Sequence, residues 1–198
     1  MYLKNILGLL RDGDKIHLLN QYFDQDDPKS YLDTCSEYKI NGCNGTYHVQ
    51  TTRSPNRDFG SGTWEIRSVN GTGGPIRYGD KIHLINQYGT KSYLDTCVGI
   101  ETIEGCKGKY GLQTTLSPDR DSGSGTWEIS SEKCIGGPVR NGDKILLINQ
   151  YKKKSYLDTC SKYSLEGCNG TFHVQTSKIP NRGDGTSTWE IEIIFQGK

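Results

Sequence analysis

Apolar residues recur at every second position in short runs along this chain, and helical spacing over ten or more residues appears nowhere. In the first quarter Ile16 and Leu18 alternate within "KIHLLNQY", and "KSYLDTC" supplies Leu32. Further on "TYHVQTT" supplies Val49, and "GTWEIRS" supplies Trp64 and Ile66. Such runs, rich in β-branched and aromatic residues and bounded by Gly, Asn and Pro, read as strands. The four runs then return twice. The heptad "KSYLDTC" stands unchanged at residues 29–35, 91–97 and 154–160. Trp64, Trp127 and Trp189 recur at a nearly constant interval, and each follows a cysteine (Cys43, Cys106, Cys168) at one fixed spacing. The repeats span 11–69, 77–134 and 140–194; each opens on R-x-G-D-K-I and ends at T-W-E-I. The largest length change is the "FDQDDP" insert after Tyr22.

Three four-stranded repeats predict an all-β chain of twelve strands, one domain over 1–198, with about eighteen principal core residues. A unit of about 60 residues buries too little surface alone, so the units are expected to share a core. This organisation resembles the β-trefoil, in which three hairpins form a short barrel and three others cap it. A propeller normally needs at least four blades, and a solenoid would need atypical capping repeats.

Composition agrees with a turn-rich β protein: 32% apolar residues, 25 glycines and a single methionine. The net charge of +1, with both signs interspersed, points away from nucleic acid as partner. No run is long and apolar enough to span a membrane as a helix. The start "MYLKNILGLL" is short and lacks a small-residue cleavage site, so it reads as a first strand or a packing lead-in rather than a signal peptide.

Six of the seven cysteines fall into in-repeat pairs: Cys35 with Cys43, Cys97 with Cys106, Cys160 with Cys168. Each pair flanks the loop between the second and third strands, where facing hairpin ends could be bridged. Reduced buried thiols are the alternative; zinc is disfavoured because no C-x-x-C couple exists. Cys134 is left over as a free thiol or a crosslinking site. Oxidised pairs favour a secreted, extracellular protein; otherwise the chain is expected in the cytoplasm without a signal peptide. The three N-G-T sequons, at Asn44, Asn70 and Asn169, also serve as turns.

Within the heptad, alternation turns Tyr31 and Asp33 away from Leu32. The "Y-L-D-T" copies resemble the "C-L-D-V"-like motif of ricin-type β-trefoil lectins, whose aspartate accepts hydrogen bonds from sugar hydroxyls. By position, the resemblance implies that Asp33, Asp95 and Asp158 bind carbohydrate. A carboxylate takes two hydroxyl donors, and an aromatic face covers the C–H side of a sugar ring. Tyr47, Tyr110 and Phe172 are candidates for that face, as are Tyr31, Tyr93 and Tyr156. The family's Q-x-W and its preceding asparagine are absent: the equivalent stretches read "SGTW", "SGTW" and "TSTW".

Arg57, Arg120 and Arg182 each follow the second cysteine of their repeat at one fixed spacing, in glycine-rich loops. They either form a donor rim for sugar oxygens or pair with a nearby aspartate and order the loop. His48 and His173 are either further site residues or ordinary surface histidines, with Gly111 in their place in the second repeat. Asn20-Gln21-Tyr22 and its copies read as turn and cap packing. The acidic insert lacks the glycine-containing calcium-loop pattern, so neither metal nor cofactor is expected.

No recurrent nucleophile–base pairing or phosphate loop is present, so the chain is not expected to be an enzyme. Three-fold repetition favours a multivalent lectin with up to three sites for an oligosaccharide or glycoconjugate, acting as monomer or homodimer. The alternatives are a trefoil protease inhibitor of the soybean-trypsin-inhibitor type and a fascin-like structural or actin-binding trefoil.

Overall fold

The computed structural model describes residues 8–22, 29–35, 43–71, 73–97, 106, 108–131, 133, 136–160 and 168–195. The "FDQDDP" insert and Cys134 lie outside the described residues. The first repeat contributes β1 (Lys15–Asn20), β2 (Tyr31–Cys35), β3 (His48–Thr52) and β4 (Trp64–Ser68). The second contributes β5 (Lys81–Asn86), β6 (Ser92–Cys97), β7 (Gly111–Thr115) and β8 (Trp127–Ser130). The third contributes β9 (Lys144–Asn149), β10 (Ser155–Cys160), β11 (His173–Ser177) and β12 (Trp189–Ile193).

Six strands close a barrel. β1 pairs with β12, β12 with β9, β9 with β8, β8 with β5, β5 with β4, and β4 with β1, all antiparallel. The other six form the hairpins β2–β3, β6–β7 and β10–β11. Each hairpin hangs on the barrel by its first strand, against β1, β5 or β9. Strands β3, β7 and β11 also pair with one another, so the hairpins meet around a pseudo-three-fold axis and cap one end. The chain is a β-trefoil.

Strict alternation in β1 sends Ile16 and Leu18 into the barrel, as period two requires. Among the described residues the core holds seven per repeat rather than six: Leu10, Ile16, Leu18, Leu32, Val49, Trp64 and Ile66, with their copies. Leu10, Ile76 and Val139 escape a periodicity reading because each stands just ahead of a turn, outside any alternating run. They plug the barrel at the end where β1 starts. The amide of Leu10 donates to the Val139 carbonyl at 2.9 Å, Ile76 to Leu10 at 2.8 Å and Val139 to Ile76 at 2.8 Å, closing a ring of three bonds. The repeated Gly-Asp of R-x-G-D-K-I makes the turn that follows. Gly13, Gly79 and Gly142 adopt φ of 94°, 91° and 82°, and the next aspartate accepts the preceding arginine amide at 2.7–2.8 Å.

The cysteine pairing corrects the in-repeat expectation. Bridges join Cys43 to Cys97, Cys106 to Cys160 and Cys168 to Cys35, so each crosses to the following repeat. Hairpin register is the reason: Cys35, Cys97 and Cys160 stand opposite His48, Gly111 and His173 on their own hairpins. The second cysteine of a repeat lies five residues ahead of that position and reaches the end of the next repeat's β2-type strand. For a 54-residue span the chain-entropy model gives about 4 kcal/mol, more than a tight hairpin staple would contribute. Three bridges suit an oxidising compartment.

Candidate functional site

Asp33, Asp95 and Asp158 are fully buried, which corrects their expected solvent-facing placement. Alternation does turn them away from the core, but the β3–β4 loop and its copies fold over that face. In the first repeat Arg57 Nη2 lies 3.0 Å from Asp33 Oδ1, and Ser61 Oγ donates to Oδ2 at 2.7 Å. Arg120 and Ser124 hold Asp95 at 2.9 and 2.6 Å, and Arg182 and Ser187 hold Asp158 at 2.7 and 2.9 Å. Both carboxylate oxygens are engaged in every copy, and each carboxylate is shut off from solvent. Of the two readings of the arginines, the loop-ordering pair is the one the structure contains. Burial pushes the Asp33 carboxyl up to about 6, against the pull of Ser61 and Arg57, and raises Asp95 for the same first cause.

Other heptad positions join neighbouring repeats. Thr34 Oγ1 donates to Asn86 Oδ1 at 3.1 Å, Thr96 to Asn149 at 3.4 Å and Thr159 to Asn20 at 3.1 Å. Lys91 meets Glu65 at 3.7 Å, Lys154 meets Glu128 at 3.0 Å and Lys29 meets Glu190 at 4.0 Å. Each lysine reaches the T-W-E of the repeat before it. The tryptophans tie β4-type strands to the heptad: Trp64 Nε1 donates to the Leu32 carbonyl at 3.0 Å, and the two copies do the same.

His48 and His173 sit at the axis, not at the surface, and each is 2% exposed. The cap strands β3, β7 and β11 are buried on both faces because they converge there. The two imidazoles stack, centroids 5.5 Å apart and planes 7° from parallel. Burial, with His173 adding charge repulsion, lowers His48 to about 3; burial lowers His173 to about 4. Around them Gln50, Gln113 and Gln175 lie over Gly170, Gly45 and Gly108 of another repeat, where any Cβ would overlap the amide.

Partly exposed aromatic pairs mark the three seams between repeats. Tyr47 meets Tyr88 edge to face at 5.4 Å, Tyr110 meets Tyr151 at 5.6 Å, and Phe172 meets Tyr22 at 5.4 Å. One partner precedes the second cap strand of a repeat, and the other ends the first strand of the next. Cap packing of Tyr22 and its copies is as the sequence reading has it. Their joint exposure with Tyr47 and Tyr110 is set by the seam and is silent in sequence. All of these tyrosines are half-buried, whereas Phe172 is only 2% exposed. Tyr31 and Tyr93 lie elsewhere, edge-on to His17 and His83. Lys109 Nζ lies 4.6 Å from the Tyr110 centroid and Lys152 Nζ 4.9 Å from that of Tyr151. Among the described residues no cluster of three or more His, Cys, Asp or Glu could hold a metal, and no helix could cross a membrane.

No family model matches the chain, and no curated protein matches it significantly. Solved structures do. A Caenorhabditis elegans protein of unknown function aligns with TM-score 0.71 at 16% identity, over 92% of this chain and 95% of that one. The SDF2-like protein from Arabidopsis thaliana aligns with TM-score 0.73 at 15% identity, over 95% and 97%. The S. cerevisiae protein O-mannosyltransferase Pmt1–Pmt2 complex, bound to the sugar donor, aligns with TM-score 0.64 at 18% identity. That match covers 93% of this chain but 26% of the other. At these identities the likeness is one of fold.

Proposed function

We propose that this protein is a non-catalytic, multivalent carbohydrate-binding module that contacts saccharide at its inter-repeat seams. The observation that carries this is the set of edge-to-face aromatic pairs at equivalent seams, two of them with both rings partly exposed. A partly exposed tyrosine offers a flat apolar face to sugar C–H groups and a hydroxyl at its rim. In the first seam that hydroxyl already accepts the Thr90 amide at 3.3 Å, which fixes the ring. The third seam, with Phe172 buried under Tyr22, presents less aromatic surface, so the sites are unequal. Context supports the reading: a mannosyltransferase complex that matches this fold over 26% of one chain is described as bound to a sugar donor, and cross-repeat bridges fit a secretory-pathway protein.

A glycan array probed with wild type beside Tyr47→Ala/Tyr88→Ala and Tyr110→Ala/Tyr151→Ala tests this. Each double variant should lose about tenfold or more in apparent affinity, because linked weak sites gain avidity together. Wild type that binds nothing on a broad array, or folded seam variants that bind as wild type does, would sink the proposal.

A further inference from the structure

Charge is distributed unequally over three seams whose framework residues are otherwise repeated. In the seam between the second and third repeats, Lys109 and Lys152 lean over Tyr110 and Tyr151, with ammonium groups 4.6 and 4.9 Å from the ring centroids. Lys109 also donates to the Lys153 carbonyl. Its amide pairs with Thr176, two residues before Lys178. Burial, then Lys178, then Lys153 lower the Lys109 pKa, so these cations feel one another.

The same positions elsewhere carry no such cluster. Backbone pairing makes Thr46 with Thr114, and Thr171 with Thr51, the counterparts of Lys109 with Thr176. Lys109 therefore corresponds to Thr46 and Thr171, and Lys178 to Leu116 and Arg53. Lys152 and Lys153 correspond to Gly89 and Thr90 in the first seam. The fold thus tolerates neutral residues at these places. Among the described residues Asp121 pairs with Arg120 at 2.9 Å, its charge also reaching Lys152, and Glu128 pairs with Lys154 at 3.0 Å. Among the described residues no carboxylate forms an ion pair with Lys109, Lys152, Lys153 or Lys178.

We infer that the seam between the second and third repeats binds a sulfated saccharide, its sulfates taken by Lys109, Lys152, Lys153 and Lys178 and a sugar face by the Tyr110–Tyr151 pair. The inference rests on the seam reading above and adds the ligand class at one seam. Compact ammonium groups on flexible stems suit several spaced anions, whereas a single planar anion would favour arginine. The aromatic pair separates this site from a plain basic patch, since a ring face rewards a sugar ring as well as its charges.

The test is calorimetric titration of the intact protein with a heparin-derived octasaccharide, its fully desulfated form and a single-stranded DNA oligonucleotide of equal charge. Sulfated octasaccharide should bind, and weaken steeply from about 50 to about 300 mM salt, while the desulfated form binds at least tenfold more weakly. Lys109→Gln/Lys152→Gln/Lys178→Gln should lose about tenfold or more, with the salt dependence flattened. The charge-matched Lys81→Gln/Lys133→Gln/Lys144→Gln control should bind as wild type. Equal binding by both triple variants, equal binding of sulfated and desulfated probes, or equal binding of the DNA would each overturn the inference. Array binding of neutral glycans by the Tyr47→Ala/Tyr88→Ala variant reports on the parent reading separately, since none of these lysines is in that seam.

Discussion

Identity between internal copies marks, in this molecule, residues buried in the framework of the fold. Asp33 shows it best. Its fixed place beside a tyrosine resembles a sugar ligand, yet Arg57 and Ser61 occupy both of its oxygens. Asp33→Ala would leave the guanidinium facing an empty carboxylate site, a loss of about 2 kcal/mol, discounted because Arg57 is 24% exposed. Thermal unfolding should register that as a drop of several degrees, with glycan binding per folded molecule unchanged. A folded Asp33→Ala protein that no longer binds glycan would restore the aspartate to the site. The heptad serines give the opposite expectation. Ser30, Ser92 and Ser155 are buried, and their hydroxyls have no hydrogen-bond partner among the described residues. Ser92→Ala should therefore be neutral or stabilising by about 1 kcal/mol in denaturant titration, and a loss of that size would show a partner is present. Leu32, Val49 and Trp64 were legible in sequence because alternation is a local property. What covers Asp33 was not, because its partner stands 24 residues away on a loop that folds back.

Among the elements, the cap differs from the barrel in how much chemistry it conceals. Barrel strands such as β1 and β5 bury one face, so period two describes them; β3, β7 and β11 are buried on both faces, and no pattern announces it. Cysteine partnership is hidden for a related reason, since spacing along the chain says nothing about which hairpin end comes near. Non-reducing peptide mapping should recover Cys35–Cys168, Cys43–Cys97 and Cys106–Cys160; peptides joining Cys35 to Cys43 would contradict the fold's account of the cap. Acid should loosen this cap. His48 and His173 have folded pKa values of about 3 and about 4 against an ordinary 6.5. Unfolding therefore takes up protons below pH 6.5, and stability falls as pH drops through that window toward about 4. Asp33, whose folded value near 6 exceeds the ordinary 3.8, and Asp95, raised in the same direction by burial, work the other way, but the two histidine shifts are the larger and set the sign. Melting curves from about pH 7 to about pH 4 should fall for wild type and flatten for His48→Asn/His173→Asn. An unchanged slope in that variant would assign the acid loss to other groups.

At the scale of the whole molecule, the disulfides, the heptad threonine bonds and the lysine–glutamate pairs each recur in one rotational sense. The second cysteine of a repeat bridges forward, its heptad threonine donates forward, and its T-W-E glutamate receives the lysine of the repeat that follows. The third repeat closes on the first by the same contacts: Cys168 with Cys35, Thr159 with Asn20, and Glu190 with Lys29. β12 lies along β1 as well, with Ile193 opposite Ile16. Each repeat thus presents two unlike sides that do not match themselves, only each other. In the language of assemblies this is a heterologous interface that closes after three steps, a cyclic trimer whose subunits happen to share one chain. A single excised repeat would carry both unsatisfied sides and too little core to stand alone. Its stable form should be a disulfide-linked homotrimer of itself, built with the same forward bridges and presenting three identical seams.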